Sequence, residues 1–186
     1  ADLVEEIVRI AGLDRVQSAP LTRDNHGVAE PVLTLLQRRV TGARRALAAR
    51  GLAEAVTWSF VAKKQAELFG GGQPALELAN PIASDLSDMR PSLAPGLLAA
   101  AQRNADRGYG DVALFEVGQV FRSDDDKGQF YNAAGLRRGT AKVGGSGRIW
   151  GQRATSVDVF DAKADALALL ASLGVSASAI QIVPGG

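Results

Sequence analysis

The residues of this 186-residue chain whose types and spacing could do chemistry fall into a few short runs. Asp2, Glu5 and Glu6 form an acidic group at helical spacing, where Asp2 can cap a helix start and Glu5 can reach back to it. Arg38, Arg39, Arg44, Arg45 and Arg50 put guanidiniums of one sign along a single segment. That pattern reads as a solvated face, or as a contact to phosphates or to the acidic groups of a partner. Asp85, Asp88 and Arg90 read as a surface charge pattern. Asp124, Asp125 and Asp126 repel one another and point in different directions, so a solvated hairpin tip is expected there and not a metal cluster. His26, the one histidine, has no cysteine, serine or carboxylate constellation around it and is expected to be inert. Gly70-Gly71-Gly72 and Gly144-Gly145-Ser146-Gly147 lack the Gly-Lys-Ser/Thr ending of a phosphate loop and read as flexible turns.

Composition sets wider bounds. With 46% hydrophobic residues, the chain can bury one good core and a small appendage. Its net charge of +1 neither requires nor excludes a nucleic-acid partner, since a basic patch can sit inside a neutral total. The absence of cysteine removes disulfides and thiolate zinc sites. No apolar run approaches the roughly 18–20 residues of a membrane span, and no signal-peptide pattern is present. The missing initiator Met and the closing Pro-Gly-Gly suggest a piece of a larger soluble protein.

Periodicity supplies the elements that would position these groups. Leu3, Ile7, Ile10 and Ala11 predict a first helix stopped by Gly12, followed by a polar, irregular stretch from Asp14 to Glu30. Pro31 to about Arg50 reads as the longest helix, with an apolar stripe of Val32, Leu35, Leu36, Val40, Ala43 and Leu47. Val56, Trp58 and Phe60 alternate with polar residues as a half-buried strand, Lys63–Phe69 is a short helix, and Leu76–Leu78 a brief strand. Pro95 starts a helix that runs from Leu97 to Arg107, with Leu97, Leu98, Ala101 and Ala105 on one side. Val112–Val117 is a buried strand, Gly118 permits a kink or bulge, and Val120–Arg122 continues extended. A second strand is expected over Phe130–Gly139, another at Val157–Phe160, and a last one at Ile180–Val183. Between the latter two, Asp161 caps a helix to Leu173 with Leu167, Leu170 and Leu173 inward and Gly174 closing it. Hairpin signals near Gly118 and Phe130 favour an antiparallel α+β arrangement over a doubly wound parallel sheet.

The stretch NPIASDLSDMRPSLAPGLL followed by LFEVGQVFR, within Asn80–Arg122, resembles the catalytic-like module of the β subunit of bacterial phenylalanine–tRNA ligase. DLVEEIVRIAGLDRV resembles the end of that subunit's B5 domain, RRALAARGLAEAVTWSFV the module's first helix and strand, and VDVFDAKADALALLASLG a later strand and helix. The resemblance implies a B5 remnant over 1–20, a linker over 21–30, and an incomplete class II synthetase-like core over 31–186. The implied fold is α+β, a mainly antiparallel sheet flanked by helices and truncated on its C-terminal side. The long arginine-bearing helix and its following strand would be motif 1, which builds subunit interfaces.

Gly118–Gly139 stands where class II enzymes carry motif 2, and Arg122 matches by position the arginine that grips the α-phosphate of ATP. Ser123-Asp124 replaces the usual Asn-Glu or Ala-Glu, and the second strand contains no acid, so the nucleotide site reads as vestigial. Arg90-Pro91 replaces the family's Arg-Thr or Arg-Ser. The resemblance also assigns Asp2, Glu5 and Glu6 to magnesium, together with an upstream Asp that this chain lacks. It implies a cytoplasmic heterotetramer of two α and two β subunits that uses ATP and Mg2+ to attach phenylalanine to tRNA(Phe). In it, this module would pack against the catalytic α subunit without catalysing. The competing reading is an active ATP-dependent ligase domain with Arg122 in its nucleotide site.

Overall fold

The computed structural model describes residues 2–20, 22, 32–145, 147, 150–151 and 153–183, divided into a unit spanning Ala1–Leu33 and a larger one spanning Thr34–Gly186. His26 and Pro31 lie outside the described residues. The first unit carries helix α1 (Asp2–Ala11) and a 3-10 turn at Leu13–Arg15. Gly12 stops α1 as expected, at a positive φ of 104° that a glycine adopts without strain. None of the residues of α1 is buried, so its apolar stripe of Leu3, Ile7 and Ile10 faces outward.

In the second unit, α2 (Leu35–Ala49) begins later than the apolar stripe suggests. Thr34 accepts from the Gln37 N–H while the Gln37 side chain accepts from the Thr34 N–H, a capping box that settles the start. Ala43 and Leu47 are buried, whereas Leu35 and Leu36 are about half exposed. Then come β1 (Ala53–Glu54), β2 (Phe60–Val61), α3 (Lys63–Leu68), β3 (Asp88–Met89) and α4 (Ala94–Asp106). The hairpin of β4 (Val112–Phe121) and β5 (Gln129–Arg138) follows, and α5 (Val159–Ser172) is the last helix.

β4 is the spine. It pairs in parallel with the short β1 and antiparallel with the whole of β5, while β2 and β3 form a separate antiparallel pair. The sheet is therefore mixed, with its long pairing antiparallel. Alternation along β4 sends Phe115 and Val117 to one face, where Ala43, Leu47 and Leu52 bury them and Val40, Leu169 and Leu173 pack alongside. Phe115 has no exposed surface, and burying such a side chain contributes about 1.5–3 kcal/mol. The opposite face carries Glu116 and Gly118 against Arg90 and Leu93, the residue before α4, and α4 itself packs on β4 and β5.

Several expectations are corrected. Gly118 makes neither kink nor bulge: the register runs without a break through Val117↔Ala133, Gly118↔Asn132 and Gln119↔Tyr131. Val56 and Trp58 are exposed at 89% and 67% and belong to no strand, because β1 forms earlier against β4 and the chain then turns away. Leu76 closes a 3-10 turn, and only an isolated bridge from Glu77 to Asp88 follows it. Val157–Phe160 is not a strand. Asp158 caps α5 in a reciprocal box with Asp161, which pulls Val159 and Phe160 into the first turn. Ile180–Val183 pairs with no strand among the described residues.

Candidate functional site

The β4–β5 hairpin has the form expected of a nucleotide-gripping loop, and Arg122 stands at its turn. The Arg122 N–H donates to the Gly128 carbonyl at 2.8 Å, closing the ladder, and its exposed guanidinium lies 5.1 Å from the centre of the Phe130 ring. Asp125 caps a 3-10 turn over Asp126–Gly128. The Ser123 hydroxyl, and after it the Gly128 N–H, hold the Asp125 carboxyl below the usual carboxylate range. The acidic run is thus turn structure at a solvated tip, and no other cation joins Arg122 in an ion-pair or ring contact there among the described residues.

The stronger polar assembly sits in the middle of β4. Arg90 is 4% exposed and Glu116 4%, and they meet at 2.7 Å. The Thr57 hydroxyl accepts from Arg90 Nη1 at 3.1 Å and donates to Glu116 Oε2 at 2.7 Å, while Arg90 Nε donates to the Gln119 carbonyl at 2.8 Å. The Arg90 backbone continues the tie: its N–H donates to Ser59 O and its carbonyl accepts from the Phe121 N–H. Gly118 makes room, since a Cβ there would lie 2.6 Å from Arg90 Nη2 and 3.2 Å from Glu116 Oε1. Asp88 has no exposed surface either, and its Oδ2 accepts from the Ser87 hydroxyl at 2.6 Å. The surface pattern expected of Asp88 and Arg90 is thereby overturned, because packing of β3 against β2 carries both inward; Asp85 alone is exposed. The overlooked signal was Glu116 itself: a carboxylate between Phe115 and Val117 in a buried strand requires a cation.

A second ionic group joins three elements. Asp165 on α5 accepts from Arg50 Nε at 2.5 Å and from Arg137 Nε at 2.6 Å, and Arg137 also donates to the carbonyls of Arg50 and Ala141. Burial pushes the Asp165 carboxyl up, but the hydrogen bonds from Arg137 and Arg50 outweigh it and hold the group below the usual range. Asp161 is likewise held low, first by the Asp158 N–H and then by Lys142, 3.0 Å away. Of the arginines expected to form one charged face on α2, Arg44 is turned to Glu54 and the Val117 carbonyl, and Arg50 to Asp165; Arg38, Arg39 and Arg45 are exposed.

Beside the Arg90 assembly lies an open cleft of ≈ 330 Å³ that includes Thr57, Trp58, Phe60, Asp85 and Arg103. It holds a single pair of opposite charges, without the converging cations a triphosphate requires. Asp2, Glu5 and Glu6 lie within α1 at positions that share a face, all exposed, with Glu6 engaged by Arg9 at 2.7 Å. Among the described residues, no three His, Cys, Asp or Glu side chains are grouped to hold a metal ion. No helix among the described residues is long and apolar enough to cross a membrane.

The chain shares its fold with a pyrrolysyl tRNA synthetase from Desulfitobacterium hafniense, at a TM-score of 0.51 and 20% identity over 76% of this chain and 47% of that one. It is 62% identical over 186 residues to the phenylalanine–tRNA ligase beta subunit of Bradyrhizobium diazoefficiens, covering 100% of this chain and 23% of that protein. The beta subunits of Nitrobacter winogradskyi (63% over 182 residues, 98% of this chain, 22% of that protein) and Brucella suis (58% over 187 residues, 100% and 23%) are similar. The chain thus spans just under a quarter of the length of these relatives. Residues 20–185 match the family model described as the phenylalanyl tRNA synthetase beta chain CLM domain, and the chain belongs to that family.

Proposed function

We propose that this chain is a non-catalytic structural and interaction module of a phenylalanine–tRNA ligase β subunit, packing against a catalytic α subunit in a cytoplasmic assembly of two α and two β subunits. In that reading, residues 1–20 are the end of a B5 domain, 21–30 a linker, and 31–186 an incomplete synthetase-like core. The assembly would attach phenylalanine to tRNA(Phe) with ATP and Mg2+. Asp2, Glu5 and Glu6 would contribute to a magnesium site only together with a further carboxylate.

The observation that carries the reading is how the arginines of the hairpin region are used. Arg90 is buried, with Nε on the Gln119 carbonyl and Nη1 on Thr57 and Glu116, so its charge is paired inside the chain. The Arg122 guanidinium is exposed and, among the described residues, lies over the Phe130 ring without an ion-pair partner. Phosphoryl and adenylyl chemistry needs several cations and oriented donors aimed at the charge that develops in the transition state. The hairpin here is a brace and not a clamp.

Calorimetric titration with ATP and Mg2+, with and without phenylalanine, tests this directly. No saturable heat is expected, while a purified α subunit should bind the chain. Micromolar ATP binding that Arg122→Ala abolishes would overturn the non-catalytic assignment. Failure to bind the α subunit would overturn the interaction role.

A further inference from the structure

The unit formed by β2 and β3 is held by little backbone. Each strand has two residues, paired Phe60↔Met89 and Val61↔Asp88. The pairing is extended by the Arg90 N–H on Ser59 O, the Leu78 N–H on Ser87 O and the isolated bridge Glu77↔Asp88. Two-stranded pairs of this size are marginal by themselves. Yet β3 delivers Arg90, two residues after Asp88, to the buried assembly on β4, so its position requires a further constraint.

Across the bridge, two carboxylates face each other. Directly opposite residues of an antiparallel bridge put their side chains on one face, and like charges there repel. Glu77 is exposed, whereas Asp88 has no exposed surface. Asp88 Oδ2 accepts from the Ser87 hydroxyl at 2.6 Å, and Oδ1 has no hydrogen-bond partner among the described residues. Arg90, the cation nearest in sequence, is taken up by Glu116. A buried carboxylate in that state is destabilising unless another cation stands close. Lys63 fills that need. Its Nζ lies 2.9 Å from Glu77 Oε2. The hydrogen bond to Glu77 holds the ammonium above its usual range, followed by the charge of Glu77 and then those of Asp88 and Glu67.

We propose that Lys63 is a charge latch, one cation shared by exposed Glu77 and buried Asp88, that locks β3 onto β2 and so fixes where Arg90 enters the assembly on β4. Glu77 grips the ammonium directly and keeps it beside the bridge. Asp88 feels the same charge through the interior of the unit, where attraction is screened less than in water. The three side chains are therefore unequal. Loss of Glu77 removes one of the two facing carboxylates and leaves Lys63 to Asp88. Loss of Lys63 leaves both carboxylates, one of them buried, without their shared cation. The Lys63–Glu77 pair is half exposed, at 45% and 50% for its side chains, yet it acts on a buried charge, as an ordinary surface pair does not.

Amide hydrogen exchange on the full 186-residue chain tests the latch, with the Leu78 and Arg90 N–H groups as reporters and the β4–β5 ladder as internal reference. An ordinary exposed ion pair contributes a factor of no more than about 5. Lys63→Met should instead speed exchange of both reporters by at least about 30-fold, with the reference amides changing by less than about 3-fold. Lys63→Arg, which keeps the charge, and Glu77→Gln should each stay within about 5-fold of wild type. Adding Asp88→Asn to Lys63→Met should bring the reporters to within about 3-fold of the Asp88→Asn single variant, because the buried charge is gone. An effect of Lys63→Met below about 5-fold overturns the proposal. An equal effect of Glu77→Gln also overturns it, by making Glu77 the sole partner of Lys63. So does a double variant that is not restored, which traces the loss to packing of the lysine stem. If Lys63→Met does not fold, the double variant decides: folded it supports the latch, and unfolded it overturns it.

Discussion

Two arginines on one strand system have opposite fates. Arg90 enters the middle of β4 from the β3 side and ends in a pocket where its partners are oxygen atoms of the chain itself. Arg122, at the end of the same strand, stays in solvent and rests on one aromatic ring. Resemblance to a nucleotide-binding motif singles out Arg122, yet the structure spends its polar interactions on Arg90. A binding site needs donors turned toward an empty space, whereas a structural tie turns its charge onto partners within the chain. By that criterion this hairpin is built to be held in place.

Breaking the buried member of the pair should have the largest effect. Arg90→Ala leaves Glu116 charged and unpaired between Phe115 and Val117, and a loss of about 3–5 kcal/mol is expected in urea unfolding. If Arg90→Met with Glu116→Leu unfolds at the same urea concentration as wild type, the pair serves geometry more than net stability. A loss below about 1 kcal/mol for Arg90→Ala would instead show that the assembly is not the tie described.

The Asp165 network extends the comparison to a second buried group and adds a pH signature. Asp165→Asn weakens two arginine contacts at once, and a loss of about 3 kcal/mol near neutral pH is expected. Because the folded-state carboxyl lies below its ordinary value of 3.8, its contribution is complete above that pH. It disappears as pH falls through the depressed folded value. Unfolding free energy should therefore drop on acidification below about pH 4 in wild type, and drop less steeply in Asp165→Asn. Equal slopes in the two proteins would assign the acid sensitivity elsewhere.

A smaller effect is expected where the comparison depends on space. Gly118→Ala forces a methyl group to within 2.6 Å of Arg90 Nη2, and about 1–3 kcal/mol should be lost. Combining Gly118→Ala with Arg90→Ala should cost less than the sum, which a double-mutant cycle would read out. The smallest effect belongs to Arg122→Ala. Removal of an exposed cation–π contact should change stability by no more than about 1 kcal/mol. A change as large as that of Arg90→Ala would erase the distinction drawn between the two arginines.

What could be read in advance follows from the range of the interactions involved. α1, α3, α4 and the β4–β5 hairpin were legible because their signals are local: Gly12 as a stop, Pro95 inside the first turn of α4, and apolar runs of strand length. Val157–Phe160 misled because alternation and helix capping compete over the same residues, and the reciprocal bonds of Asp158 and Asp161 decided for helix. Val56 and Trp58 misled because alternation reports a possible strand and says nothing of whether a neighbour is there to pair with it.

The family and the helical and strand-forming character of most elements were thus set by the sequence itself, since propensity, capping and turn chemistry act over a few residues. Only the tertiary structure decided which charges are buried. Arg90 and Glu116 lie 26 positions apart and Arg50 and Asp165 lie 115 apart, so their pairing depends on how separate elements pack. The straight course of β4 through Gly118 has the same origin. A glycine that signals a bend along the chain is needed here for the arginine that crosses above it.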